Sequence, residues 1–251
     1  MTCEEFSREF DILYNNITSN QAPGLNEYEK SVFLTQAQES IILEMYSEKF
    51  ESTEDVTSYL NALVKKSVID LDTVGLDVLL PESTNKCNHK YAYSLALDVE
   101  PYKNLWFVLY ESTKSGNIEI PVVPTTWDEL HRTRRNPFRK ANNHRVLRIE
   151  HSDSNHYRIH TLFSNSVINK YFLTFLERPE PIVTADLDER EYGHLMTIDS
   201  DFKDLVITTT DDHDNEYSYV SHNECKLNPA IHRSILSRAV QIAKSVWASK
   251  Q

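Results

Sequence analysis

Three stretches of the chain hold side chains able to do chemistry. DDHDNEYSYVSHNEC, residues 211–225, brings His213, His222, Cys225 and several carboxylates within fifteen residues. Imidazole, thiolate and carboxylate are zinc ligands, and carboxylate oxygens also suit calcium. Their spacing follows no zinc pattern, and the glycine that a calcium loop uses for its sharp turn is missing. HSDSNHYRIH, residues 151–160, sets His156 and His160 four residues apart, a separation that shares one face of a helix or a strand. A chelate needs a third ligand and a general base needs a nucleophile to serve. Neither stands nearby in sequence, so two surface histidines beside a hairpin are the simpler expectation.

The third stretch is HRTRRNPFRKANNHRVLR, residues 131–148, with seven Lys or Arg and no acid. The whole chain carries 26 Lys+Arg against 38 Asp+Glu, a formal net charge of −12. Its cations are Arg132, Arg134, Arg135, Arg139, Lys140, Arg145 and Arg148, and Phe138 is its one aromatic residue. Arginine presents a planar fork that pairs with carboxylate or phosphate through two hydrogen bonds, where lysine is a point charge. One aromatic is too few for a platform that stacks single-stranded bases. The stretch therefore reads as an interaction surface over 131–148, a protein–protein interface with an acidic neighbour or, as the alternative, a nucleic-acid-binding surface, against the plain reading of a solvated charged loop.

The rest of the sequence narrows the class. With 40% hydrophobic and 25% charged residues, 251 residues suffice for a globular core without staples. No apolar run approaches the ~20 residues of a membrane span, so no membrane partner is expected. The start, MTCEEFSREFD, has no basic-then-apolar secretory pattern. Cys3, Cys87 and Cys225 are odd in number and far apart, which reads as reduced thiols. The four glycines stand alone, which excludes phosphate-cradling loops, and there is no G-x-S-x-G, H-E-x-x-H or C-x-x-C. No catalytic residue, metal or other cofactor is expected, and the protein reads as a non-enzyme.

Periodicity supplies the elements. Phe6, Phe10, Leu13 and Ile17 share one helical face. Asn26 and Glu29 form a capping box before a helix lined by Tyr28, Val32, Phe33, Ala37, Ile41 and Met45. A third helix is predicted from Ser52, striped by Val56, Tyr59, Leu60, Leu63 and Val64. Short runs rich in Val, Ile, Tyr and Phe follow: 67–71, 91–97, 105–110, 117–123, 145–150, 171–176 and 204–209. KSGN reads as a hairpin turn, and Thr126 caps one short helix near 126–136. Asn228 and Pro229 open a last helix, whose face Ile231, Ile235, Ala239, Ile242 and Val246 predicts packing on the N-terminal helices. The expectation is an α+β fold: N-terminal helices over 1–66, a mostly antiparallel β-rich region over 67–224, and a C-terminal helix over 225–251.

Four segments taken together resemble a known family. APGLNEYEKSVFLTQAQESIILEMY (22–46), PVVPTTWDELHRTRRNPFRKANNHRVLR (121–148), INKYFLTFLERPEPIV (168–183) and CKLNPAIHRSILSRAVQIAKSVW (225–247) are similar to virion structural proteins of crAss-like phages of Bacteroidales. These form ring or head-to-tail adaptor layers in the neck and tail of short-tailed phages. The resemblance implies a structural subunit that assembles with copies of itself, twelve if the ring matches a portal. It further implies portal or adjacent ring proteins as neighbours, transient passage of double-stranded DNA, and a place in the virion after assembly in the host cytoplasm. It implies no catalytic residues.

Overall fold

The computed structural model of the chain describes residues 1–17, 24–48, 59–71, 91–133, 136, 138–188, 191, 202, 205–210 and 216–248. Two compact units emerge: a helical unit of residues 1–63 and 179–251, and a β unit of residues 64–178. The class is α+β, with a large curled sheet that is antiparallel at all but one pairing.

In the helical unit, α1 spans Cys3–Ile17 and α2 spans Glu27–Glu48. Each is opened by a capping box. Thr2 Oγ1 accepts the Glu5 amide while Glu5 reaches back to the Thr2 amide. Asn26 and Glu29 do the same at 2.8 and 3.1 Å. α2 is buried on an apolar side, through Tyr28, Leu34, Ala37, Ile41 and Ile42, and also on a polar one. The polar side is Ser31, Thr35 and Gln38, spaced three or four residues apart, and it lies along an extended segment of residues 180–184. Ser31 bonds Thr184, Thr35 bonds Ile182, and Gln38 bonds the Glu180 carbonyl. Four helical residues rise about 6 Å and two extended residues about 6.6 Å, so the two backbones stay in step.

The C-terminal helix begins where Asn228 Oδ1 accepts the Ala230 amide over a 3-10 turn, Pro229–Ile231. Four α-helices are described; the last, labelled α4, is His232–Ala248. It lies on α1 and α2. Lys244 Nζ donates to the Leu13 carbonyl, Arg238 meets Glu44 at 2.6 Å, and the His232 ring sits 5.4 Å from Phe6. The buried stripe is Ile231, Ile235, Leu236, Ala239, Val240 and Ala243. It differs from the expected one at its far end: Ile242 is half-buried and Val246 is 38% exposed. Val246 lies on the same helical face, seven residues beyond Ala239, and its exposure comes with its place in the last turn of the helix.

The β unit opens earlier than the periodicity suggested. Residues 59–60 are helical and a 3-10 turn follows at Asn61–Leu63. β1, Val64–Asp70, then pairs Val64 with Leu176, so Val64 belongs to a strand and not to a third helix. Ser52 and Val56 of that expected helix lie outside the described residues. The other strands are β2 (Tyr91–Ala96), β3 (Leu105–Ser115), β4 (Ile118–Pro124), β5 (Val146–His151), β6 (Ile159–Ser164) and β7 (Lys170–Glu177). Their order is β1-β7-β3-β4-β5-β6-β2. Gly116, with φ +58°, turns the β3–β4 hairpin inside KSGN. β4 changes neighbour along its length: Ile118–Pro121 pairs β3 antiparallel, and Val122–Pro124 pairs β5 in parallel. The sheet curls there around Leu95, Ile120, Val146, Leu162, Tyr171 and Phe175.

A second sheet of β8 (Leu187–Asp188), β9 (Val206–Thr210) and β10 (Glu216–Val220), ordered β8-β10-β9, belongs to the helical unit. Leu187, Phe202 and Val220 pack there against Tyr28 of α2.

Candidate assembly interface

Two strands that lie parallel and adjacent cannot be joined by a hairpin; they need a crossover. Between β4 and β5 that crossover is the basic stretch. It starts with α3, Trp127–Thr133, whose cap is the Thr126 hydroxyl accepting the Glu129 amide. Leu130 is the helix's anchor, 1% exposed, and packs with Ala141 on Ala92, Leu147, Ile149 and Phe163. Thr133 turns its hydroxyl back onto the Glu129 carbonyl. Arg134, Arg135 and Pro137 lie outside the described residues.

Beyond α3 the loop is tied by its own amides. Asn136 Oδ1 accepts the Phe138 amide at 2.9 Å, and the Asn136 carbonyl accepts those of Arg139 and Lys140. Asn142 Oδ1 accepts the His144 amide, and Asn142 and Arg145 bridge backbone to backbone. Arg145 Nη1 donates to the Phe138 carbonyl at 3.1 Å, and Asn165 holds the carbonyl of fully buried Ala141. Phe138 is left 84% exposed at the tip. Arg132 and Arg139 are exposed, Lys140 and Arg145 half-buried. A surface hollow of about 460 Å³ lies beside them, lined by Asp128 and Glu129 as well as Arg132 and Arg139.

Arg148, counted with the surface charge in the sequence, is internal: it is 8% exposed. Its Nε lies 2.9 Å from Glu111 Oε1 and its Nη1 lies 3.1 Å from Glu150 Oε2. β5 is buried on both faces, Leu147 and Ile149 against α3 and Val146 toward the curled interior, and Arg148 shares the interior face with Val146. Nη1 also lies 2.9 Å from His160 Nε2. Arginine can only donate, so Nε2 accepts and the ring proton sits on Nδ1, 3.1 Å from the Tyr171 hydroxyl. Tyr171 in turn donates to Glu111 Oε2 at 2.8 Å. The chain of bonds joins β6, β7, β3 and β5 across the inside of the sheet.

The environment sets each titration. Burial drives the His160 pKa down, and the Arg148 charge adds to it against Glu150. Burial also pushes the Glu111 carboxyl up despite Arg148 and Tyr171, and it pushes Tyr171 far up. Glu150, half in water, is held down at about 2: His160 contributes first when its ring carries a second proton, and with the ring neutral the Arg158 and Arg148 guanidiniums do the holding. Such perturbed groups can mark catalysis. Here Glu111, His160 and Tyr171 are 8%, 0% and 0% exposed, so the cluster is closed off from solvent and fastens the strands together.

The remaining sequence candidates separate. His156 is half-exposed and pairs with Asp98 at 2.8 Å, while His160, expected at the surface, is sealed in the interior. His213 and the carboxylates of residues 211–215 lie outside the described residues. His222 is bound to Asp186 at 2.8 Å and Cys225 is buried. Among the described residues no three His, Cys, Asp or Glu gather as a metal site, and no helix is long and apolar enough to cross a membrane. Sequence reading missed Glu111 and Tyr171. The available signal was an arginine and a glutamate alternating with Val146 in a strand covered on both faces.

Comparison with known proteins bears on the chain from end to end. The family model described as phage tail ring protein 3/4 matches residues 1–251. Ring protein 4/5 of Bacteroides phage crAss001 is 34% identical over 252 residues, covering 98% of this chain and 94% of that protein. Ring protein 3 of the same phage is 32% identical over 259 residues, covering 97% and 95%.

Proposed function

The chain belongs to the phage tail ring protein 3/4 family of crAss-like phages, and from that premise we propose that it is one subunit of a closed cyclic layer in the tail, next to the portal or another ring, with twelve copies around the path of the ejected genome. The observation that carries this reading is the full-length match: both relatives are named ring proteins, and the similarity takes in the helical and β units alike. A sealed charge cluster and the lack of a catalytic motif fit a structural, non-enzymatic part of the virion. Ring subunits meet head to tail, one face of a copy against a different face of the next.

Arg132, Arg134, Arg135, Phe138, Arg139, Lys140 and Arg145 then form a protein seam. A ring through which DNA must slide is poorly served by a phosphate grip, whose strength climbs with every neutralised phosphate. The net charge of −12 suits passage. The test is the purified particle: the chain should be present in about twelve copies, forming a ring under imaging of the tail. Absence, or one or two copies per particle, overturns the reading. Steeply salt-dependent retention of duplex DNA by the purified chain, lost on reversal of the loop arginines, would support the nucleic-acid alternative instead.

A further inference from the structure

Resting on the ring reading, we propose that the loop from Phe138 to Arg145 is the element by which one copy grips the acidic helical unit of the next copy, with Phe138 as its apolar anchor. Charge divides between the two units. Residues 1–63 and 179–251 hold 25 Asp+Glu against 10 Lys+Arg, a balance of −15, while residues 64–178 hold 13 against 16, a balance of +3. In the helical unit Lys30 is spent on Asp11 and Glu27, Lys226 on Glu180, and Arg238 on Glu44. Its surplus is therefore carboxylate. Around the start of α1, with exposed Glu4 and Glu5, the charges of Glu224 and Asp186 add to burial in raising the Cys3 thiol, so acids from separate segments converge there.

The loop is the matching half. Arg132, Arg139 and Lys140 form no ion pair among the described residues, and the last two directly follow in the chain a phenylalanine, Phe138, that stays 84% exposed in the single copy. Aromatic and arginine side chains dominate interface anchors, ringed by polar groups that exclude water. The loop needs little ordering to dock. The Phe138 amide and carbonyl are already bonded to Asn136 and Arg145, and buried Ala141 pins its middle. Such preorganisation lowers the entropic cost of binding. A basic β unit and an acidic helical unit on each copy give a contact that repeats around a ring and suppresses like-to-like pairing.

Zero-length carbodiimide coupling of intact particles tests the occupant, since it joins a carboxylate to a lysine amine as an amide, with the water taken up by the reagent. Lys140 should be found joined to an Asp or Glu of residues 1–63 or 179–251, and mixed isotopic labelling should assign the two ends to different copies. A Lys140 link to another virion protein, to residues 64–178, within one copy, or to no carboxylate overturns the proposal. Phe138→Ala should keep its melting temperature and weaken self-assembly about thirty-fold, the scale of a hot-spot truncation. Because that variant keeps its acidic face, it should also stop rings formed with wild-type protein short of closure. Normal assembly of Phe138→Ala overturns the proposal as well. If the chain is abundant in particles while Lys140 links elsewhere, the ring reading stands and only this contact fails.

Discussion

Among the described residues each unit buries one Lys or Arg, and the two are handled differently. Lys30 in the helical unit is 4% exposed and binds Asp11 at 2.7 Å and Glu27 at 2.9 Å, with Ser7 as a third partner. Its carboxylates keep contact with water: the Asp11 side chain is 47% exposed and that of Glu27 32%. Arg148 in the β unit is 8% exposed and its main partner, Glu111, has only 6% of its side chain exposed. A rim cation leaves wet partners behind when removed. A sealed one leaves a buried charge.

That contrast predicts the largest effect. Arg148→Met should cost about 3–5 kcal/mol in denaturant unfolding, because Glu111 loses its counterion where solvent cannot replace it. Lys30→Met should cost about 1–2 kcal/mol, the range for losing hydrogen bonds to groups that can turn to water. Adding Glu111→Gln to Arg148→Met should recover much of the loss, as the stranded charge goes with it. Equal costs for the two single variants would erase the distinction between the units.

How much of this was legible follows from what each signal depends on. Capping at Asn26, Thr126 and Asn228 was readable because a cap is local, a side chain meeting an amide two or three residues on. The β3–β4 hairpin was readable from KSGN for the same reason. The alignment of Ser31, Thr35 and Gln38 with residues 180–184 joins positions some 150 apart in the chain, and no local pattern encodes it. Ser31, Thr35, Gln38, Glu180 and Ile182 nonetheless lie inside the segments that carried the family resemblance, and Thr184 lies one residue beyond. Arg148 was misplaced because strand alternation assigns residues to two faces without saying that both are covered. The short stretch 131–148 thus holds two kinds of arginine that composition cannot tell apart.

A smaller effect separates the units by pH. His160 faces Arg148, Glu150 and Tyr171, with Glu111 and Arg158 nearby, and its pKa in the fold lies below the ordinary 6.5. A group with a depressed basic pKa is neutral in the fold, so its contribution is full above pH 6.5 and is lost as pH falls from there through the folded value. The limiting slope is about 1.4 kcal/mol per pH unit for one proton. Glu111, with its raised pKa, acts in the opposite sense and blunts the slope. His232 in the helical unit is also depressed by burial, so the informative quantity is a difference. His160→Gln should flatten the acid side of the stability profile relative to wild type. An unchanged profile would mean that the ring of His160 is not neutral in the fold.

The smallest expected effect is the one that isolates the interface. Arg132 and Arg139 are exposed and have no ion pair among the described residues, although Asp128 and Glu129 line the same hollow. Reversing both to Glu moves the formal charge from −12 by four units and strands nothing in the interior. Exposed substitutions of this kind shift stability by about 0.5 kcal/mol or less, so the melting curve of the double variant should overlay that of wild type. Arg148, nine residues beyond Arg139 in the same basic stretch, should show the opposite behaviour: a large loss of stability before assembly is even reached. If the Arg132→Glu/Arg139→Glu protein unfolds early, the loop arginines are fastenings like Arg148 and the β unit has no spare positive charge to offer a neighbour. If it folds normally and fails to enter rings, the fold has been separated from the contact, because the change is confined to two exposed side chains whose sign of charge is reversed.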